Sequence, residues 1–91
     1  MSEKAALRVT VHGRVQGVFY RDWTVETART LGLAGWVRNE ADGTVAALLE
    51  GELGALDQMV ERMRRGPPAA QVERTEQQPC PPEGIVGFKQ R

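Results

Sequence analysis

An α+β sandwich is what this sequence predicts, a mainly antiparallel sheet with two helices on one face and a short extra C-terminal strand. Three observations carry that expectation. Leu7, Val9 and Val11 alternate with Arg8, Thr10 and His12, the period-two pattern of a strand with one apolar face. Leu53, Leu56, Val60 and Met63 recur at helical spacing. Between two further apolar runs, Asp42-Gly43 supplies the positive-φ position that a hairpin needs.

Taken in order, the first strand runs from Ala6 to His12 and feeds a loop with a glycine at each end, Gly13 and Gly17. A helix follows over 22–31, with Tyr20, Thr24, Ala28 and Leu31 near one stripe. Asp22 sits in its first turn, where a carboxylate complements the dipole, and Gly32 is placed to end it as the C′ residue. Residues 33–39 read as the second strand, 40–43 as a turn and 44–50 as the third strand. The second helix covers 53–65, with Arg62, Arg64 and Arg65 in its last turn and Gly66-Pro67-Pro68 as the stop. Residues 71–78 are mostly polar and suit an edge strand, where charge discourages pairing with other molecules. A loop over 79–84 and a short strand over 85–89 complete the chain. Two strand–helix–strand halves in this order make a ferredoxin-like βαββαβ sandwich, in which right-handed crossovers place both helices on the same side.

Composition narrows the partners. The 91 residues suit one domain, 1–91, and 12 basic against 12 acidic residues leave no global field to attract nucleic acid or a membrane surface. Met1-Ser2-Glu3-Lys4 carries no secretory pattern, and the longest apolar run, Val45 to Leu49, is too short to cross a bilayer. Cys80 is the single cysteine, which excludes an intrachain disulfide and a multi-cysteine metal site. A cytoplasmic monomer is the expectation.

With no net charge, any anion binding has to be local, and one stretch is suited to it. Gly13-Arg14-Val15-Gln16-Gly17-Val18-Phe19-Tyr20-Arg21 leaves a strand and enters a helix, a path on which backbone N–H groups converge on an anion. Arg21 stands where loop becomes helix. A cation there opposes the helix dipole unless an anion lies nearby, and a guanidinium fork matches phosphate or carboxylate. The glycines alone would mark an ordinary turn. Neither a Walker sequence nor a dinucleotide fingerprint is present.

The same stretch closely resembles the first signature of the acylphosphatases. A second stretch also matches that family, Gly35-Trp36-Val37-Arg38-Asn39 followed by Gly43, Val45 and Gly51. The likeness spans nearly the whole chain, and only the polar fourth strand with its Pro-rich exit departs from the family's more apolar tail. It implies a small, cofactor-free and metal-free enzyme that hydrolyses the carboxyl–phosphate bond of acyl phosphates. By resemblance, Arg21 binds the phosphate and Asn39 orients the attacking water. Arg14, Val15, Gln16, Gly17, Val18 and Phe19 form the substrate-binding loop, mainly through amides.

Such chemistry suits these residues. Phosphoryl transfer spreads charge over the equatorial oxygens, so donors and position matter most. The leaving carboxylate has an intrinsic pKa near ~4 and needs little acid assistance, which fits a motif without His, Glu or Asp at its centre. Asn39 can hold water without titrating.

Rival readings are blander. A domain of this kind could bind carbamoyl phosphate or another small anion without turnover. RNA binding would require exposed sheet aromatics in a basic setting, which this neutral chain lacks. His12 belongs by alternation to the polar sheet face, Cys80 has no neighbouring base, Trp23 and Trp36 suit packing, and Tyr20 and Phe19 suit core and loop-side packing.

Overall fold

The computed structural model describes residues 4–91. Met1-Ser2-Glu3, on which part of the secretory-signal expectation rests, lie outside the described residues. Seven elements follow in the expected order: β1 (Lys4–Arg14), α1 (Tyr20–Thr30), β2 (Ala34–Asn39), β3 (Val45–Glu52), α2 (Leu53–Arg65), β4 (Gln71–Cys80) and β5 (Phe88–Gln90). The strands lie in the order β4-β1-β3-β2-β5. All pairs are antiparallel except β2 with β5, which is parallel. Among the described residues no helix is long and apolar enough to cross a membrane.

Alternation along the strands puts Val9, Val11, Val37, Val45, Ala47, Leu49 and Phe88 on one face, and all join the same buried cluster as Tyr20, Ala28, Leu56, Met59 and Met63 of the helices. Burying such aliphatic side chains is worth about 1.5–3 kcal/mol each, so this layer supplies most of the fold's stabilisation. Leu53, which the helical spacing assigns to the apolar stripe, is exposed. Met59 takes the buried position instead.

The opposite sheet face is only partly wet. Trp36 is buried there under three guanidinium groups, with Arg38, Arg91 and Arg8 at 4.5, 5.1 and 5.7 Å from its ring. On the same face His12 Nε2 meets Glu76 Oε1 at 2.5 Å, which ties β1 to the edge strand β4 and places His12 on the polar face as its alternation predicts.

Two element boundaries in the C-terminal part of the chain differ from the expected ones. β4 is the edge strand, as its polarity implies, and it runs through Pro79 to Cys80 because an edge tolerates a residue without an N–H. The last strand starts at Phe88 rather than residue 85. At its expected start the Glu50 carboxylate accepts the Ile85 N–H at 3.2 Å, along with the Glu83 and Gly84 N–H groups of the preceding loop at 2.8 and 2.6 Å. Those amides are held by a side chain on β3 and cannot enter a ladder. The same contact holds the Pro-rich exit from β4.

Candidate active site

Gly13 and Gly17 bound the loop but serve different ends. Gly13 has φ 128 beside a register shift in the β1–β4 pairing, and a Cβ there would lie 2.2 Å from the Gln71 carbonyl oxygen. The group that approaches Gly13 closely is therefore the neighbouring strand, not a ligand. Gly17 has φ 74 with open space around it, so only its backbone conformation calls for glycine.

The chain then makes an unusual move. Phe19 adopts φ 62, ψ 23, the left-handed region, and the helix begins at the next residue. The sequence places that start at Asp22; the left-handed residue turns the chain sharply enough to begin α1 at Tyr20. Tyr20, Arg21 and Asp22 thus all belong to the first turn. No side chain caps it, and its first internal bond runs from the Trp23 N–H to the Phe19 carbonyl at 3.1 Å. The amides of Tyr20, Arg21 and Asp22 are accordingly without helical partners, the usual state of a helix start and one that an anion relieves.

These groups enclose a cavity of about 250 Å³ lined by Val15, Gly17, Phe19, Tyr20, Arg21, Asp22 and Gln90. Arg21 is half-buried, and none of the ion pairs among the described residues involves it. Asp22 also faces the cavity, where it accepts a hydrogen bond from Gln90 Nε2. A larger cavity of about 790 Å³ on the open sheet face has Glu40, Asp42 and Glu76 in its wall against Arg8, the wrong balance of charge for a phosphate.

Two buried residues hold the loop in place. Val15 is sunk in the core, so its contribution to the site is backbone and one edge of the wall. The Tyr20 hydroxyl donates to the Met63 carbonyl at 2.8 Å and bolts the start of α1 to the end of α2. Burial pushes its phenol far above the ordinary range, so the hydroxyl keeps its proton and holds the Met63 carbonyl.

Asn39 is exposed at the end of β2. It pairs with Val45 and shares the side of Val37, so strand alternation directs it to the face that carries α1. It is not in the cavity wall. What links it to the loop is Gln16, whose Nε2 donates to the Glu40 and Thr44 carbonyls at 2.8 and 2.9 Å. The Gln16 side chain is thus a strut between the loop and the turn after Asn39. The turn itself is pinned by Asp42, which accepts from the Thr44 N–H at 3.0 Å and the Thr44 hydroxyl at 2.6 Å.

Arg14 ends β1 as an exposed residue opposite Gln71, and Val18 packs on the core; neither lines the cavity. Phe19, expected to pack beside the loop, is 79% exposed. Sequence reasoning passed over Gln90. Its signal was parity: in a strand whose Phe88 faces the core, Gln90 two residues on shares that face.

Comparison with known proteins gives the family. The acylphosphatase family model matches residues 7–90. The chain belongs to the acylphosphatase family. It is 52% identical to an acylphosphatase of Rhodospirillum rubrum over 85 residues, covering 93% of both chains. It is 54% identical to one of Rubrobacter xylanophilus over 93% of this chain and 78% of that one. The crystal structure of the Bacillus subtilis acylphosphatase superposes with a TM-score of 0.93 at 36% identity, covering 96% of this chain and 98% of the other. The acylphosphatase fold therefore extends across the whole βαββαβ unit and the C-terminal strand.

Proposed function

We propose that this acylphosphatase-family enzyme hydrolyses the carboxyl–phosphate bond of acyl phosphates at the start of α1. The observation that carries the reading is the uncapped first turn of that helix opening, together with Arg21, into one small cavity. The phosphoryl group sits among the amides of the loop and first turn, with the guanidinium of Arg21 adding two parallel donors. Asn39, kept near the loop by the Gln16 strut, orients a water in line with the leaving group.

The water oxygen forms a bond to phosphorus as the phosphorus–acyl oxygen bond breaks, and the carboxylate leaves with the electron pair. The water proton passes to a phosphate oxygen. Donors positioned on charge that develops in the transition state do most of the work, and each is worth ~2.7–4 kcal/mol, or about 10²–10³ in rate. The substrate is a small molecule, the enzyme acts as a cytoplasmic monomer, and the reaction needs no cofactor.

A hydrolysis assay with benzoyl phosphate in the presence of a chelator tests the reading. Turnover by the wild-type chain, with kcat for Asn39→Ala reduced about 10²–10³-fold and its melting temperature unchanged, is expected. Tight phosphate binding without turnover would indicate an anion-binding module instead. Wild-type kcat in Asn39→Ala would remove Asn39 from the mechanism.

A further inference from the structure

Phe19 is the residue whose placement the fold does not explain. Its side chain is 79% exposed, so burial in the core does not hold it. Its backbone lies in the left-handed region, where a bulky aromatic is an outlier and glycine or asparagine would be unstrained. Among positive-φ positions of the described residues it alone is not glycine. Leu53 and Val86, the other large apolar side chains left exposed, have ordinary backbones and lie outside this cavity. Phe19 stands in the cavity wall beside Gly17 and Arg21.

The size of that cavity decides what meets the ring. At about 250 Å³ it falls below the roughly 300–1,000 Å³ of pockets that enclose a whole drug-sized ligand. A phosphoryl group held by the first-turn amides fills its polar end, and the remainder of the substrate has to leave across the rim. Phe19 is the apolar part of that rim. The other side chains around the opening, Arg21, Asp22 and Gln90, are polar.

We infer that Phe19 selects the acyl group, its exposed ring receiving an aromatic acyl chain while the phosphate is bound below. The inference rests on the reading of the site given above and adds the substrate class to it. It also accounts for a strained aromatic at a position that the local backbone would give to glycine.

The test compares kcat/KM for benzoyl phosphate and acetyl phosphate in the wild-type chain and in Phe19→Gly, Phe19→Leu and Phe19→Tyr. Both substrates share the phosphate, so any change that a variant makes to the amide cradle divides out of the ratio. The wild-type chain should favour benzoyl phosphate. Phe19→Gly should lower the benzoyl-to-acetyl ratio by about 2- to 12-fold, the range of an aromatic pair. Phe19→Leu should lie between, and Phe19→Tyr should keep the wild-type ratio. Should the glycine variant fail to fold, the leucine and tyrosine variants decide the matter, since both keep an apolar side chain. An unchanged ratio in the leucine variant, or a wild-type chain indifferent to the acyl group, would overturn the inference while leaving the phosphate site intact. Failure of the phosphate site is seen separately, as full activity on both substrates in Arg21→Ala.

Discussion

The two helices begin alike and in different company. Neither Phe19 ahead of α1 nor Glu52 ahead of α2 caps its first turn with a side-chain hydrogen bond. Both starts therefore present unpaired N–H groups and the positive end of a dipole. At α2 the preceding residue is extended, with φ −70 and ψ 146, and the nearby cavity sets Glu50 and Glu52 against one cation, Lys4. At α1 the preceding residue is left-handed and the cavity sets Arg21 against a single carboxylate, Asp22, which is engaged by Gln90. An open helix start is thus common to both ends of the fold. The proposed phosphate site is the start that adds a guanidinium and a folded loop with a left-handed residue.

The strongest way to break this contrast is to remove its cation. Arg21→Ala should lower kcat/KM for benzoyl phosphate by at least about 10²–10³-fold through both KM and kcat, since it leaves the phosphate charge underpaired. Glu52→Ala, at the other helix start, should stay within about twofold. Equal losses in the two variants would mean that the helix starts are not functionally distinct.

Next in size come the two glycines of the loop. Gly13→Ala drives a Cβ to 2.2 Å from the Gln71 carbonyl oxygen and should cost about 3 kcal/mol of stability. Gly17→Ala meets no neighbour and carries only the left-handed penalty, about 1–2 kcal/mol. For a domain of this size each kcal/mol lowers the melting temperature by about 4–8 °C, so thermal unfolding separates the two. A smaller loss for Gly13→Ala would contradict the assignment of that residue to the β1–β4 crossing.

Much of this was legible in the chain, because two signals with different periods marked strands and helices and the glycine turns fell between them. The Gly13–Arg21 stretch also marked the candidate site proposed above, since an arginine against a helix dipole calls for an anion. The starting residue of α1 was not legible. Nothing in Val18-Phe19-Tyr20 announces a left-handed phenylalanine, because the local preference runs against it. The end of the chain was obscured for another reason: a carboxylate on β3 takes the Ile85 amide, which a strand reading assigns to the sheet, together with the Glu83 and Gly84 amides of the loop before it. Such long-range capture of backbone by a side chain leaves no periodic trace. The cavity role of Gln90 was lost with it, since the expected strand stopped at Lys89.

Smaller effects sharpen the picture of what supports the α1 start. Tyr20→Phe leaves the Met63 carbonyl without its donor and should cost about 1 kcal/mol, read as a lower denaturation midpoint at unchanged m-value. Activity should fall less than in Arg21→Ala, because the phenol keeps its proton and holds the Met63 carbonyl. A melting temperature equal to wild type would argue against the bolt between the helices.

The smallest effect is pH-dependent and concerns the exit loop. The Glu83 amide, first among the groups that bind it, holds the Glu50 carboxyl below its ordinary value of 4.5. A carboxyl whose folded value is depressed stabilises the fold above its unfolded value and loses that contribution as pH falls through the folded one. Stability of the wild-type chain should therefore decline from about pH 4.5 downward, and Glu50→Gln should flatten that part of the profile. Identical profiles would show that the three amides do not depend on the charge.

The most direct test of the phosphate site is a titration with inorganic phosphate followed by backbone amide NMR. The N–H resonances of residues 15–22 should move together and saturably, those of Leu53, Gly54 and Ala55 should stay still, and Arg21→Ala should abolish the response. Movement at the start of α2 equal to that at α1, or an undiminished response in Arg21→Ala, would contradict the account.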